Sequence, residues 1–318
     1  MRFRLCTAIL PLIAGQLQAQ NAPCDLVRLV SSRVANLCDA AIDGTRAFHP
    51  VAGLLVSGGN PVLRTAAGGD GLGHFGLAVR ANTARVQLPD LGYDGTAPTV
   101  PAGERLLFIA PLVEGSAGLY AVPGRVAIEV LGSAQLLPTN QVENLDVVPG
   151  GAHLGAAALG LGFGARVAVV PAPSLPSLSL TLMRRSVPRV QYGNLADPGE
   201  QFQYAIDLRA TNLRLGASQR FSAFALASGL GYDRYTGDAA IAVREPDLPV
   251  NLIGTVRIDL DASRWLLFAN PSYQAGPLQV AGELGYRLPK KQRLTTTFER
   301  FDPSSGRLFG GLGVRVDF

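Results

Sequence analysis

From Gly71 onward, apolar and polar residues alternate with a period of two, in runs separated by Gly, Pro, Asn and Asp clusters. That period gives each extended segment one apolar and one polar face. The last run shows it well. Leu308, Gly310, Leu312, Val314, Val316 and Phe318 share one phase, and Arg307, Arg315 and Asp317 fall on the other. The pattern predicts about 12 strands, roughly 72–88, 104–113, 124–137, within 152–170, within 176–187, 201–215, 219–233, 251–261, 264–270, 277–288, 292–300 and the closing run. In the first of these the apolar phase moves from Phe75, Leu77 and Val79 to Ala84, Val86 and Leu88, which suggests a bulge near Asn82.

The expected fold class is all-β, an antiparallel β-barrel over residues 71–318. A soluble sandwich with its apolar face inward is the competing architecture. After the amino terminus no clean apolar run is long enough for a spanning helix, and Gly151–Val170 is interrupted by His153 and Arg166. A chain that crosses lipid must satisfy every backbone polar group internally, so a closed sheet is the remaining way across. A two-faced final strand ending in Phe318, with Val316 and Val314 before it, resembles the closing strand of bacterial outer-membrane β-barrels. The resemblance implies a transmembrane barrel in the cell outer membrane, in contact with its lipid and lipopolysaccharide. It also implies recognition of the carboxyl-terminal strand by the barrel-assembly machinery. Counting back from a periplasmic Phe318, the periplasmic connections are expected at Pro171–Pro176, Gly216–Ser218, Asp261–Ser263, Pro289–Lys291 and Glu114–Gly124. The longer, outer ones are expected at Pro89–Gly103, Pro138–Gly150, Ser186–Glu200 and Arg234–Val250.

Residues 1–19 read as a signal peptide: Arg2 and Arg4, an apolar core from Leu5 to Gly15, and a cleavage site at Leu17-Gln18-Ala19. Residues 20–70 form a separate periplasmic or plug segment. Within it Asp25 is placed to cap a helix with the stripe Leu26, Val30, Val34, Leu37 and Ala41. Cys24 and Cys38 are an even pair suited to an oxidising compartment. A continuous helix would hold them about 21 Å apart, whereas a disulfide needs about 7 Å or less. Either the helix breaks and folds back, or the two cysteines stay apart. Gly59-Asn60-Pro61 resembles the Asn-Pro-Ala element of long-chain fatty-acid-transporter barrels over three residues, with Val62 in place of Ala; an ordinary turn is the plainer reading.

Composition agrees with a β-rich membrane chain: 47% apolar, 16% charged and 37 glycines in 318 residues. The formal charge of +4 falls to about +2 without Arg2 and Arg4, which gives no reason to expect a nucleic-acid partner. If the apolar phase faces lipid, the other phase lines the lumen. It carries Arg125, Glu129, Asp207, Arg209, Arg257, Asp259, Asp261, Glu283, Arg287 and Arg315, and also Arg293 and Glu299. Mixed charges suit either ion pairs filling a narrow barrel or a weakly selective constriction. Tyr192, Phe202, Tyr204, Tyr232, Tyr235, Trp265, Phe268, Tyr273 and Tyr286 are expected in interface girdles. Arg184, Arg185 and Arg189 are expected in an outer loop, within reach of lipopolysaccharide phosphates. His49, His74 and His153 sit in separate segments with no nucleophile at a telling spacing, and no metal-ligand cluster or cofactor is expected. The functional expectation is a passive channel or transporter for small solutes. The alternatives are a closed structural or adhesion-type barrel and, third, an outer-membrane enzyme.

Overall fold

The computed structural model describes residues 21–63, 71–122, 125–169, 175–244 and 253–318; the expected signal peptide lies outside the described residues. Ten strands close into one antiparallel barrel: β1 (Phe75–Pro89), β2 (Ala102–Val122), β3 (Val126–Pro138), β4 (Ala157–Val169), β5 (Ser177–Tyr192), β6 (Phe202–Phe221), β7 (Phe224–Arg244), β8 (Ile253–Ala275), β9 (Leu278–Arg287) and β10 (Arg307–Asp317). Each pairs with the next along the chain. The seam is made by β10 and β1, from Gly76 opposite Asp317 to Ala84 opposite Phe309. Phe318 extends it, exchanging both backbone hydrogen bonds with Phe75 at 3.1 and 2.8 Å. The ring is closed, but the first part of β8, residues 253–264, extends past the end of β9 without a strand partner on that side. Thr99–Val100 pairs in parallel with Thr297–Phe298 outside the barrel.

The count is ten rather than twelve, for reasons visible in particular residues. Asp261-Ala262-Ser263 has turn chemistry but lies inside β8, where Asp261 faces outward and pairs with Arg234 at 2.6 Å. Gly216–Ser218 lies inside β6, and Glu114 to Leu119 inside β2. The Thr-rich run 292–300 belongs to the connection between β9 and β10. The connections alternate accordingly. One end of the barrel has four brief links, between residues 122 and 126, 169 and 177, 221 and 224, and 275 and 278. The other has five longer ones, at 89–102, 138–157, 192–202, 244–253 and 287–307. These are called the turn end and the loop end.

Residues 34–57 of the amino-terminal segment occupy the barrel interior. Helix α1 (Ala22–Arg28) stops at Leu29–Ser31, and helix α2 (Ser32–Ser57) starts with the Ser31 side chain accepting from Val34 N–H at 3.3 Å. The break folds α1 back on α2, and a Cys24–Cys38 disulfide joins them across a Cα distance of 5.7 Å. From Val34 to Ser57 only Asn36 and Arg46 escape full burial. Gly53 makes the fit possible: a Cβ there would lie 2.3 Å from the Tyr235 ring.

The apolar phase of the strands changes sides partway along the barrel, and on β6 and β1 it does so at points where the register is continuous. On β6 the inward positions are Phe202, Tyr204, Ile206 and Leu208 near the loop end, then Asn212 and Arg214 nearer the turn end. The outward positions run the opposite way, from Asp207 and Arg209 to Leu213 and Leu215. On β5, outward Leu178, Leu180 and Leu182 give way to Arg184 and Ser186. On β1, inward Arg80 and Asn82 give way to Ala84, Val86 and Leu88. The register through Asn82 is continuous against both neighbours, so the expected bulge is absent there; the described shift comes only after Gln87. The barrel thus has two zones. Toward the turn end it is apolar outside and charged inside. Toward the loop end it is charged outside and packs an apolar interior on α2.

Outward aromatic pairs bracket the apolar zone. Phe224 and Tyr273 meet near the turn end with ring centroids 5.0 Å apart, and Tyr232 and Trp265 meet farther along at 4.9 Å. Eight residues of β7 separate the pairs, roughly 27 Å along a strand. A tilt of about 40° reduces that to roughly 21 Å, close to the apolar height of membrane barrels.

Candidate functional site: the plugged lumen

A helix ending inside a protein leaves carbonyl oxygens without partners and a concentration of negative partial charge. At the carboxyl end of α2 the barrel wall answers both. Gly58 turns the chain with φ +59°, a conformation suited to glycine. Arg80 then donates to the carbonyls of Asn60 and Ser57 at 2.9 and 3.3 Å. Arg214 donates to Gly59 and Gly58, Arg166 to Pro61 at 2.8 Å, Arg315 to Val62 at 3.2 Å and Gln279 to Leu63 at 3.2 Å. Asn82 reaches the Leu55 carbonyl at 2.7 Å.

The donors of the same turn meet carboxylates. Gly59 and Asn60 N–H each donate to one oxygen of Glu283, both at 2.7 Å, and Val62 N–H donates to Glu114 at 2.6 Å. The acids and bases then pair with one another. Arg80 lies 3.3 Å from Glu114 and 3.5 Å from Glu283. Arg185 contacts Glu114 at 2.9 Å, Arg214 forms a two-point pair with Asp233, and Arg166 lies 3.9 Å from Glu129. Four arginines therefore face four acids in a region shielded from water. Such a network costs desolvation, and removing one partner strands a buried charge. It ties the last turn of the plug to several strands of the wall at this level.

At the loop end the helix is tied to the connections instead. Asp43 accepts from the N–H groups of Thr295 and Thr296 at 2.6 and 2.8 Å. Arg33 donates to the Asp94 carbonyl at 2.7 Å and pairs with its carboxylate at 3.3 Å. Asn36 donates to the Gly95 carbonyl at 2.9 Å. Two bonds from Thr96 hold the Asp94 carboxyl below its ordinary range, with Arg33 adding to the effect.

Of the residues expected to line the lumen, Glu129, Glu283, Arg287 and Arg315 face inward and are buried. Asp207, Arg209, Arg257, Asp259 and Asp261 lie in the outward phase, and Arg125 is exposed at a turn. All six are corrections, and five of them share one cause; Arg125 simply falls outside the strands. The five strand residues lie in the zone where α2 replaces water inside the barrel, so their charged phase turns out to solvent. Arg209 bridges Asp207 and Asp238 on that outer surface at 3.0 and 3.2 Å. Arg293 and Glu299 are exposed in the connection to β10. For the same reason Tyr192, Phe202, Tyr204, Tyr235 and Phe268 are interior, while Tyr232, Trp265, Tyr273 and Tyr286 face outward. Arg184 also faces outward, and Arg185 is buried in the network. Sequence reasoning missed Glu114, Arg166, Arg185, Arg214 and Asp233 as a group. A signal was present: Arg214 sits between Leu213 and Leu215, and Arg166 beside Val167, each alone in the phase opposite outward aliphatics.

His49 lies on the plug, His74 is exposed near the turn end, and His153 is exposed in a connection, so the three remain apart. Gly59-Asn60-Pro61 forms the anchored turn at the end of the plug, and its resemblance to the transporter element remains a three-residue likeness.

No protein-family model matches the chain, and no curated protein matches it. Solved structures similar to it are outer-membrane β-barrels. The outer membrane protease OmpT from Escherichia coli is 11% identical, with a TM-score of 0.39 over 77% of this chain and 96% of that one. The translocator domain of the autotransporter NalP from Neisseria meningitidis is 12% identical, with a TM-score of 0.34 over 88% and 96%. The toluene transporter TodX from Pseudomonas putida is 12% identical, with a TM-score of 0.27 over 83% and 92%. Each is a likeness of barrel architecture only.

Proposed function

We propose that this chain is an outer-membrane β-barrel sealed by its own amino-terminal helix, with the turn end in the periplasm and the loop end outside. In this state it is a closed, surface-presenting barrel rather than an open diffusion pore. The observation that carries the reading is the anchorage of Ser57–Leu63, where wall arginines and glutamates take up the polar groups of the plug's last turn. The outward apolar zone with its bracketing aromatics supports insertion in a bilayer. Brief turns at one end and longer loops at the other support the orientation.

Transport of small solutes is the second reading, and it requires the helix to move. The charged wall behind the plug's last turn favours it, because Arg80, Glu114, Arg214 and Asp233 would line a polar path once the plug withdrew. Planar-bilayer recording tests both readings. The intact chain is expected to give no steady conductance, and a chain lacking residues 21–63 to give stepwise current. Steady ohmic current through the intact, folded chain would overturn the sealed-barrel reading.

A further inference from the structure

The charge balance of the plug anchor is not repeated nearer the loop end. Arg264 and Arg287 are inward on β8 and β9, 3% and 1% exposed. Among the described residues neither has a carboxylate within ion-pair distance, unlike Arg80, Arg185 and Arg214 below them. One terminal nitrogen of Arg264 donates to the Ser263 carbonyl at 3.0 Å, and its other terminal nitrogen, Nη2, meets no acceptor. Nε of Arg287 meets none, and Nε2 of His49, 1% exposed on the facing side of α2, is also without a partner.

Arg264 and His49 border a cavity of about 420 Å³ between the upper part of β8 and the connection that follows β9. Lys290 and Lys291, the chain's only lysines, line its rim with Arg293. Arg46 lines it too, but is already paired with Asp43. Asp259 and Asp261 are the acids at its edge. Both lie on the outward phase of β8, and Asp261 is engaged by Arg234. A buried guanidinium with an unmet donor and no counter-charge is costly. A rim of lysines adds to that excess and offers no relief. An anion bound in the cavity would supply counter-charge to both.

We propose that this cavity is an anion site for a phosphate group, with Arg264 as the buried ligand and Lys290 and Lys291 as the rim. A tetrahedral oxyanion offers acceptors to a guanidinium and to ammonium groups together. The Trp265–Tyr232 pair, one residue from Arg264 on the outer face, puts the cavity at the edge of the apolar zone. There a phosphate is available either on a lipid headgroup or free in solution. The proposal goes beyond the sealed-barrel reading and does not depend on it.

The test uses the folded full-length barrel in lipid-free zwitterionic micelles, titrated with inorganic phosphate by calorimetry against chloride at equal ionic strength. A second arm places it in phosphatidylcholine vesicles with or without phosphatidic acid and follows Trp265 fluorescence. Saturable binding is expected in at least one arm. Arg264→Gln should weaken it about tenfold or more, and Lys290→Gln with Lys291→Gln should weaken it several-fold. Response to phosphatidic acid alone identifies a headgroup site, and response to inorganic phosphate a site for the free anion as well. The paired lysine change is on an exposed rim, so it decides the matter if Arg264→Gln fails to fold. No saturable response in either arm, or binding unaltered by the variants that fold, would overturn the proposal.

Discussion

Glu283 is the residue on which the plug's position most depends. Its two oxygens take successive backbone N–H groups, one of them also takes Asn270 Nδ2 at 3.0 Å, and Arg80 supplies the counter-charge. Glu283→Ala would leave Arg80 half-compensated and two buried N–H groups unmet. The expected cost is about 3–5 kcal/mol, read as a lower midpoint in denaturant unfolding; a midpoint within error of the parent would contradict the role. The inward position of Glu283 is legible from its alternation with Leu284 and Gly282 in the sequence. Its partners are not, because Gly59 and Asn60 lie more than two hundred residues away and contribute only backbone.

At the scale of elements, α1 and α2 act as one hairpin only because Leu29–Ser31 interrupts the helix. Changing Cys24 and Cys38 to Ser removes a link across fourteen residues, worth about 3 kcal/mol on a chain-entropy account. Limited proteolysis should then cut first near Arg28. Cutting at the parent rate would show that packing alone holds the hairpin. The Arg33–Asp94 tie adds a pH dependence. The Asp94 carboxyl titrates below its unfolded value, so its contribution is complete above about pH 4. It is lost as pH falls through the lower, folded value. Protease sensitivity of the 89–102 connection should therefore rise in acid in the parent, and Asp94→Asn should be sensitive already at neutral pH. The strands themselves were the legible part of these elements. Their ends were not, because Asp261-Ala262-Ser263 and Gly216-Ala217-Ser218 have the composition of turns yet continue as strand under pressure from paired neighbours.

For the whole molecule, the instructive failure is the polarity rule itself. Period two identifies the faces, and the simplest reading puts lipid outside and water inside along the full length of every strand. Outward Leu213 and Leu215 and inward Arg214 fit it in polarity, while inward Tyr204 and Ile206 reverse it, because α2 gives the loop-end interior an apolar partner. No local signal separates the two cases; only the aromatic pairs mark the boundary. Trp265 is the chain's single tryptophan and sits on it. In bilayers of brominated lipid its fluorescence should be quenched strongly by bromines near the headgroups and weakly by bromines at acyl-chain ends. Equal quenching at both depths, or none, would remove the membrane boundary from this position.

The folded-back head of the plug has a mechanical consequence. At the loop end the insert is two cross-linked helices wide, whereas the stem that reaches Gly58 is a single helix. A pull from the turn end would jam the head in the mouth, like a rivet drawn against its plate. A pull from the loop end must break the Ser57–Leu63 anchors and the ties of Arg33, Asn36 and Asp43 to the connections, and then the covalent tether to β1 halts the travel. Under load the insert is a one-way stop on a leash, able to rise a short distance without being lost.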